Sequence, residues 1–388
     1  MRFPNYHEHL LKKRFSELAC FKKGPFGSAL KKEIFVPKSD TTIKVYEQQN
    51  AINKDWKLER YFITSEYYEK MKSFTVNPGD IIVSCAGTIG EIYTLPMDAE
   101  KGVINQALMI VRPNEKIINR DYFIYIFEKM IDNFTLKFSN GSAIKNIPPF
   151  ADLKNYITNI PSMREQNKIV DMLDKIDERI STQSKIIEDI ETLRKWIINQ
   201  QFARTATNTI GEFIEQTSER NKTKGVERVL SVSNKYGFIN QSEQFEDREV
   251  ASDDRTNYKI VRRNDFAFNP ARINVGSIAK LGTYDIGIVS PMYICFKSNN
   301  KNLDADYLSN FFSSNSFKNA LNKRLEGSVR QCLQFDALCD IKLFVPSLNE
   351  QISFVSKIKA ITRKLTIEKD ILSAYKKQKA YLLSNMFI

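Results

Sequence analysis

Several polar loops of this chain combine glycine with amide and basic side chains, the residue types that contact nucleic acid. Gln and Asn amides can hydrogen-bond adenine in two places, while Lys and Arg contact guanine or phosphate. In the first half of the chain the candidates are Lys22, Lys23, Ser28, Lys31, Lys32, Gln48, Gln49, Asn50, Gln106, Ser142, Lys145 and Asn146. In the second half they are Asn234, Lys235, Asn269, Arg272, Asn274, Arg324, Ser328, Arg330 and Gln331. The set predicts base and phosphate contacts, although any single member is as easily explained as solvated surface.

Motifs for catalysis are incomplete. Residues 146–150 (N-I-P-P-F) have an extra Ile compared with the Asn-Pro-Pro loop that holds the target amine in adenine methyltransferases. Residues 87–90 (G-T-I-G) are typical of a turn, and no G-x-x-x-x-G-K phosphate loop occurs. A nuclease pairing of Asp80 with Glu91 would need a Lys where Tyr93 stands. We therefore expect no catalytic residue, no cofactor and no metal site in this chain.

Histidine and cysteine usage supports that expectation. The two histidines, His7 and His9, both lie in the N-terminal tail, which removes most His-based metal and general-base chemistry. The five cysteines contain no C-x-x-C pair, so neither a disulfide framework nor a zinc ribbon is indicated. Reduced structural thiols are the default interpretation.

Composition indicates a globular protein with a polyanionic partner. The 388 residues suffice for two or more domains, and 42% hydrophobic with 27% charged residues is ordinary for a globular chain. No apolar run reaches the roughly 20 residues of a membrane span, and the start lacks a signal-peptide core, so we expect a cytoplasmic location. The net charge of +12 favours binding to phosphates, although charge alone is weak evidence.

The elements that must position these loops are revealed by an internal repeat. Residues 160–166 read I-P-S-M-R-E-Q, and residues 345–351 read V-P-S-L-N-E-Q, an offset of 185 residues. The same offset relates Asp121 to Asp306. A repeat this long is not a solenoid unit of about 20–50 residues. It predicts two similar lobes, each followed by the same kind of helix, and such a molecule suits a target with two half-sites.

Each repeated motif introduces a long helical segment that lacks Gly and Pro. Ser162 with Glu165, and Ser347 with Glu350, have the spacing of a capping box. A 4-3-4-3 spacing predicts a coiled-coil seam in both segments. The first seam comprises Ile169, Leu173, Ile176, Ile180, Gln183, Ile187, Ile190, Arg194 and Ile197. The second comprises Phe354, Ile358, Ile361, Leu365, Glu368, Leu372, Tyr375, Lys379 and Leu382.

The charges of the two segments favour mutual pairing. Residues 162–202 hold 7 basic and 8 acidic residues, whereas residues 347–387 hold 8 basic and 3 acidic residues. Opposite balances are typical of helices that pair with each other. We expect an antiparallel coiled coil, with the alternative that each helix covers only its own lobe.

The lobes read as a mixture of strands and short helices. Residues 80–85 and 102–111 are predicted strands, and they are matched by residues 265–269 and 287–296. Residues 122–134 and 307–322 are predicted amphipathic helices. The predicted fold class is mixed α/β (α+β), with two similar lobes and two long helices. The predicted boundaries are 1–160 and 205–346 for the lobes, and 161–204 and 347–388 for the spacer helices.

Three features together resemble the specificity subunit of type I restriction-modification enzymes. They are the duplicated P-S-x-x-E-Q helix, residues 24–28 (G-P-F-G-S) and residues 140–146 (N-G-S-A-I-K-N). The resemblance covers essentially the whole chain. It implies that each lobe is a target-recognition domain reading one half of a bipartite DNA site, and that the lobes, which differ in sequence, read different half-sites. It also implies that the helices set the gap.

The same resemblance implies which partners carry the chemistry. Two methyltransferase (modification) subunits would dock on the helices and bind S-adenosylmethionine. A restriction subunit, if present, would use ATP and Mg. Two other functions stay open: a standalone DNA methyltransferase or nuclease, which would need the missing motifs, and a coiled-coil interaction scaffold, which salt-dependent DNA binding would exclude.

Overall fold

A computed structural model describes residues 3, 6, 8–138, 150–206, 208–241, 254–299, 302–325 and 332–386. The chain forms two compact units. Unit 1 comprises Met1–Ser181 and Ser373–Ile388, and unit 2 comprises Thr182–Leu372. Each unit therefore contains one lobe together with a segment of each long helix, and the helices do not form a unit of their own.

Unit 1 contains ten strands and five helices of its own among the described residues. The strands are β1 Leu11–Arg14, β2 Ala19–Lys23, β3 Thr42–Tyr46, β4 Tyr61–Thr64, β5 Thr75–Val76, β6 Ile81–Ser84, β7 Ile92–Thr94, β8 Gly102–Ile104, β9 Leu108–Pro113 and β10 Ile157–Ile160. The helices are α1 Phe15–Leu18, α2 Gln48–Ile52, α3 Ser65–Met71, α4 Arg120–Phe138 and α5 Phe150–Asn155. The first long helix, α6 Met163–Phe202, begins in this unit.

Unit 2 repeats this arrangement with ten strands and three helices of its own in its described part. The strands are β11 Asn208–Thr209, β12 Ile214–Thr217, β13 Val229–Ser233, β14 Gly237–Asn240, β15 Lys259–Arg262, β16 Phe266–Phe268, β17 Ile278–Lys280, β18 Ile286–Val289, β19 Ile294–Ser298 and β20 Lys342–Leu343. The helices are α7 Ala305–Phe312, α8 Asn315–Asn322 and α9 Phe335–Cys339. The second long helix, α10 Leu348–Met386, begins here and ends in unit 1.

The two lobes share one sheet topology. Unit 1 has sheets ordered β2-β9-β6-β7, β4-β3-β8-β5 and β1-β10, and unit 2 has sheets ordered β12-β19-β16-β17, β14-β13-β18-β15 and β11-β20. The only parallel pair described in either lobe occupies the same place, β3 with β8 and β13 with β18. The mixed α+β fold class and the duplication predicted from the sequence are confirmed at the level of strand order.

The predicted strands over residues 102–111 and 287–296 are each wrong as single strands. A turn separates β8 from β9, and another separates β18 from β19. In unit 1 the backbone N–H of Asn105 still donates to Tyr46 O of β3, in the sheet of β8, at 3.0 Å, whereas Leu108 already pairs with Ser84 of β6, in the sheet of β9. The apolar runs on both sides of Asn105 and Gln106 are buried, so the segment resembles one strand in sequence although it crosses between two sheets.

The predicted helix over residues 307–322 is also interrupted. The Ser314 hydroxyl accepts from Phe317 N at 3.2 Å and donates to Phe311 O at 2.7 Å, which ends α7 and caps α8. In unit 1 the corresponding segment stays one helix, α4. A serine that satisfies backbone groups on both sides explains the break.

The predicted seams of α6 and α10 are confirmed. All eighteen seam positions are buried or half-buried, including the polar ones. The segments run antiparallel within each unit: Lys379 Nζ lies 2.7 Å from Asp177 Oδ1 in unit 1, and Lys369 Nζ lies 2.7 Å from Glu191 Oε1 in unit 2. The basic helix supplies the lysine in both pairs, as the charge balance predicted.

A buried polar contact joins repeat counterparts in the seam. Gln183 Nε2 donates to Glu368 O at 3.1 Å and also to the Glu368 carboxylate. Glu368 follows Gln183 by the repeat offset of 185 residues. Lys364 pairs with the same carboxylate, and these contacts lower the pKa of Glu368. The two helices therefore meet where each carries the same position of its own repeat.

The predicted capping box forms fully at only one helix. The Ser347 hydroxyl donates to Glu350 Oε2 at 2.8 Å, and Ser347 N donates to the same oxygen at 3.1 Å. At the other helix the buried Ser162 hydroxyl has no hydrogen-bond partner within the part of the chain that is described. The backbone carbonyl of Ser162 accepts from Gln166 N at 2.9 Å, just as that of Ser347 accepts from Gln351 N at 3.0 Å.

The glutamine of the repeated motif attaches each long helix to its lobe. Gln166 Nε2 donates to Pro161 O at 2.9 Å, and Gln166 Oε1 accepts from Asn119 N at 2.7 Å. In unit 2 Gln351 Nε2 donates to Pro346 O at 2.8 Å, and its Oε1 accepts from Asp304 N at 2.9 Å. Both amides are buried. The motif is therefore a structural attachment, which the sequence pattern alone did not reveal.

Aromatic cores complete the attachment of helix to lobe. In unit 1 Phe15, Phe123 and Phe127 pack in one cluster with Ile169 and Leu173 of α6. In unit 2 the ring centroids of Phe202 and Tyr307 lie 4.9 Å apart, within a cluster that includes Phe354 of α10. The helices thus cover their lobes as well as pairing with each other. Among the described residues, no helix is long and apolar enough to cross a bilayer.

Candidate nucleic-acid interface

Four chain segments meet at one end of unit 1. The turn between β8 and β9 is their junction: Gly24 N donates to Leu108 O at 2.9 Å, Cys85 N to Ala107 O at 2.8 Å, and Asn105 N to Tyr46 O at 3.0 Å. The segments that follow β2, β3 and β6 therefore start from one turn. We call these the recognition loops of unit 1: residues 24–35, 47–60, 85–91 and 105–107.

Glycine is required where two of these loops touch. A Cβ on Gly24 would lie 1.9 Å from Asn105 O and 3.0 Å from Leu108 O. Both contacts are with backbone, which cannot move aside as a side chain can. This close approach explains why the first residue of G-P-F-G-S is glycine. It also holds the lysine-bearing loop after β2 against the turn that carries Gln106.

Most unit 1 candidates are accessible at this end. Gln49, Gln106 and Ser28 are exposed, Gln48 and Lys22 are half-buried, and the exposed lysines are Lys23, Lys31 and Lys32. Lys22 Nζ also lies 4.8 Å from the centroid of the Phe74 ring. The loops therefore bring amide donors and acceptors beside ammonium groups, the combination needed for base and phosphate contacts.

Asn50 has a different role from the one predicted. Its side chain is buried, its Nδ2 donates to Asp55 O and Leu58 O at 3.0 and 2.9 Å, and its Oδ1 accepts from Glu47 N at 2.9 Å. These bonds shape the loop between β3 and β4. We therefore remove Asn50 from the proposed contact residues and assign it to holding Gln48 and Gln49 in place.

In unit 2 the equivalent loops follow β12, β13, β16 and β18, at residues 218–228, 234–236, 269–277 and 290–293. Asn234 and Lys235 are exposed on a three-residue turn, and Arg272 and Asn274 are exposed in the next loop. A Cβ on Gly276, whose φ is +92°, would lie 3.5 Å from Asn234 Cβ, so these two loops are adjacent. These four candidates therefore lie on two adjacent loops.

Two other unit 2 candidates hold backbone. Asn269 is buried, and its Oδ1 accepts from Ala271 N at 3.1 Å. Arg324 donates to Ala320 O at 3.1 Å and to Asp340 O at 3.0 Å, which satisfies one carbonyl near the end of α8 and one at the end of α9. We remove both from the proposed contact residues. Six further candidates lie outside the described residues: Ser142, Lys145, Asn146, Ser328, Arg330 and Gln331.

Sequence reasoning missed the loop after β12. It exposes Lys222 and Lys224, and Arg228 at its end lies 4.2 Å from the Tyr284 ring centroid. Its place after β12 equals that of the Lys-rich loop after β2. The basic run at residues 220–225 (R-N-K-T-K-G) could have identified this loop from sequence, but the 185-residue offset does not align it with residues 22–32. Residues 87–90, predicted to be a turn, occupy the place of the Arg272 loop in unit 1.

A cavity of about 560 Å³ opens beside the unit 2 loops. Its lining includes Asn234, Asn274, Lys318 and Asn322 above an apolar floor that contains Phe312. In unit 1 the helix is continuous, and Ile131 Cγ2 lies 2.6 Å from where a Cβ on Gly90 would be. The broken helix of unit 2 therefore gives that lobe a polar recess beside its loops.

The cysteines near the loops are not suited to nucleophilic chemistry. Burial raises the pKa of the Cys85 and Cys295 thiols to about 12. Thiols in this state stay protonated at neutral pH, and the thiolate is the reactive form. Within the described ranges, no group of three or more His, Cys, Asp or Glu side chains is placed to hold a metal ion.

Known proteins share this organisation. The family model for the type I restriction modification DNA specificity domain matches residues 16–192 and 206–376. The type I restriction enzyme MjaVIII specificity subunit of Methanocaldococcus jannaschii is 24% identical over 370 residues, which is 82% of this chain and 83% of that protein.

Solved structures agree in fold. The S subunit of a type I restriction-modification system from M. genitalium has a TM-score of 0.54 at 16% identity, covering 100% of this chain and 99% of that one. A chain from a study of type I R-M complex assembly and conformational transition has a TM-score of 0.64 at 12% identity, covering 98% of both. At these identities the likeness concerns the fold alone. With both repeats matched by the family model, the chain belongs to the type I restriction-modification DNA specificity family, as a specificity subunit with two recognition domains.

Proposed function

We propose that each recognition domain reads one half of a bipartite DNA site, and that this chain has no catalytic activity of its own. One observation carries the proposal: both lobes have the same sheet topology but present different residues from equivalent loops. A shared scaffold with divergent loops is how one binding geometry is adapted to two sequences.

The loop chemistry supports base reading in both units. The amides of Gln49 and Gln106 match adenine, and the guanidinium of Arg272 matches guanine. The exposed lysines, Lys23 and Lys222 among them, supply phosphate contacts that fix the register of the protein on the duplex. These contacts should also make binding strongly salt-dependent.

The half-sites should differ because the loops differ in length. Between β3 and β4 the chain forms a long loop that contains α2, whereas between β13 and β14 it forms only the turn at residues 234–236. Loops at equivalent positions of the two lobes therefore extend to different distances from the sheet. We therefore expect an asymmetric bipartite DNA site, with different bases in its two halves.

We further propose that the long helices set the gap between half-sites. Inserting one heptad after Gln183 adds about 10.5 Å of helix, or about 3 base pairs at 3.4 Å each. Methylation mapping of the insertion variant, with a matching heptad after Glu368 to keep the seam paired, should give a longer gap with unchanged half-sites. An active variant with the parental gap would show that the helices do not act as a ruler.

Partner docking is the other proposed role of the helices. Trp196 and Tyr381 are repeat counterparts, and they remain 57% and 58% exposed respectively. Two copies of one partner need two equivalent surfaces, and exposed aromatic residues are common interface anchors. We propose that these residues anchor two methyltransferase (modification) subunits. Those subunits would carry S-adenosylmethionine, a restriction subunit would carry ATP and Mg, and the assembly would act in the cytoplasm.

Stoichiometry tests the docking proposal. Trp196→Ser or Tyr381→Ser should each leave one bound modification subunit, and the double variant none, as measured by light scattering after size-exclusion chromatography. Ile352→Ser is the matched control, because Ile352 is exposed on α10 but its repeat counterpart is the polar Asn167. Two copies retained by the double variant would refute these anchors.

A lobe exchange tests the main proposal. Replacing residues 205–346 by the second lobe of another family member should change one half of the methylated sequence and leave the other half unchanged. The readout is genome-wide mapping of methylated adenines in a host that also carries the modification subunit. Altered bases in both half-sites would show that the lobes do not read independently.

A further inference from the structure

Phe26 is a large apolar side chain that the protein leaves in water. Its ring is 87% exposed, the highest value among the large hydrophobic residues of the described chain. It lies in the loop after β2, between Gly24 and Ser28. Burying a large apolar ring stabilises a protein, and this chain does not gain that stabilisation from Phe26. A partner surface that covers the ring would provide this stabilisation when the complex forms.

The backbone holds this ring outward. Gly24 N donates to Leu108 O at 2.9 Å before it, and Ala29 N donates to Phe26 O at 2.9 Å after it. The Tyr67 hydroxyl then donates to Ala29 O at 2.6 Å and ties the turn to α3. Pro25, next to Phe26, is buried. Because the turn is fixed on both sides, little conformational freedom remains to be lost when the ring inserts into a partner.

Charge identifies the partner. Phe26 is flanked in sequence by Lys22, Lys23, Lys31 and Lys32, and no acidic residue lies between Lys22 and Lys32. Met97 provides the comparison, since it is 82% exposed but follows β7 at the other end of the same sheet. There its charged neighbours are of both signs: Asp98, Glu100 and Lys101 in the sequence, and Arg120, which lies beside Gly79 as Met97 does. The end that carries Phe26 has lysines alone on both sides of the ring in the sequence, and a polyanion is therefore favoured there over the end that carries Met97.

We propose that Phe26 inserts between two adjacent base pairs of the half-site read by unit 1 and unstacks that step. The proposal rests on the proposed DNA-reading function and adds a deformation to it. Apolar side chains used as wedges kink DNA and let sequence be read through the ease of unstacking. Lysines on both sides of the ring in the sequence suit the phosphates that flank an opened step.

The test uses the full chain alone and duplexes that contain its mapped site. Adenines at successive positions of the half-site are replaced by 2-aminopurine, whose fluorescence rises when it is unstacked. The parent chain should raise the signal at one step, and Phe26→Ala should abolish that rise while weakening binding about tenfold, in the range of a lost aromatic–base contact. Phe26→Leu should retain part of both effects.

Two comparisons make the test specific. Met97→Ala should leave fluorescence and affinity unchanged. A mismatch at the responding step removes part of the unstacking cost, so it should tighten binding by the parent chain and have no such effect on Phe26→Ala. Unchanged thermal unfolding of Phe26→Ala is expected, since the ring is outside the core.

The failure of this proposal is distinct from failure of DNA reading. Sequence-specific, salt-dependent binding by the parent chain without unstacking at any step, together with affinity for Phe26→Ala within twofold of the parent, would overturn the wedge and leave the proposed function intact. No specific binding by the parent chain would overturn both.

Discussion

In unit 2 the lobe and the long helix are joined by an ion pair, whereas unit 1 has two carboxylates at the same repeat positions. Lys359 Nζ of α10 lies 2.6 Å from Asp306 Oδ2, and Lys280 Nζ lies 2.6 Å from Asp306 Oδ1. The counterparts of Asp306 and Lys359 in unit 1 are Asp121 and Asp174. One backbone arrangement therefore tolerates attraction in one unit and repulsion in the other.

The pKa values follow this difference. Burial raises the pKa of Asp174, the hydrogen bond from Tyr125 lowers it, and the charge of Asp121 raises it further, with a net upward shift. Burial also acts to raise the pKa of Asp306, but its hydrogen bonds to Lys280 and Lys359 outweigh burial and lower it overall. The charges at these positions differ between the units although the fold is shared, because apolar packing and the buried glutamines hold the lobes on the helices in both units.

The largest expected effect comes from removing the buried glutamine that attaches a long helix to its lobe in both units. Gln351→Ala in unit 2, or Gln166→Ala in unit 1, removes a buried amide and leaves the backbone groups it bonded unpaired, which should cost about 2–3 kcal/mol. Hydrogen exchange measured by mass spectrometry should show faster exchange at the starts of α7 and α10 for Gln351→Ala, with unit 1 unaffected. Gln200→Ala, an exposed glutamine of α6, is the control. Equal exchange in variant and parent would contradict this role.

The next effect should occur in unit 2 only. Asp306→Asn removes the charge that holds both lysines and should lower the stability of unit 2 by about 1 kcal/mol at pH 7. Because the folded-state pKa of Asp306 is below its ordinary value of 3.8, this stabilisation is present above that pH and is lost as the pH falls further. The difference between variant and parent in hydrogen exchange should therefore shrink in acid. A difference that grows in acid would show that the ionised carboxylate of Asp306 does not stabilise unit 2.

A smaller effect should appear when unit 1 is given the charge of unit 2. Asp174→Lys places a lysine at the counterpart of Lys359, facing Asp121, and should stabilise unit 1 by about 0.5 kcal/mol. The control is Asp174→Asn, which removes the repulsion without adding an attraction. If urea unfolding finds the lysine variant no more stable than the asparagine variant, the units differ in side-chain geometry as well as in charge.

The smallest effect concerns a pair that only unit 1 possesses. The counterparts of Asp177 and Lys379 in unit 2 are Thr362 and Arg194, and the buried Arg194 Nε donates no hydrogen bond to any described residue. Thr362→Asp should stabilise unit 2 by a few tenths of a kcal/mol relative to Thr362→Asn, and the advantage should fall at high salt. A salt-independent difference would exclude an ion pair as its cause.

Much of the scaffold was predictable because its signals are periodic and local. The seam of α6 and α10 follows from spacing alone, since residues three and four apart share a helix face wherever the helix is placed. The offset of 185 residues likewise established two lobes with one plan. The break at Ser314 was missed because both halves of that segment have the same helical pattern, although Ser313, Ser314 and Asn315 are residue types that commonly cap helices.

The recognition loops depended on tertiary structure. Sequence marked Lys23 and Gln106 as polar loop residues, but only the bonds of Gly24, Cys85 and Asn105 to their neighbours place them at one end of a sheet. Asn50 and Gln106 are equally polar in sequence, yet one is buried as a loop brace and the other is exposed. Residue type limits which hydrogen bonds a side chain can make, whereas the packing of distant strands decides which groups are already bonded and which remain available to a partner.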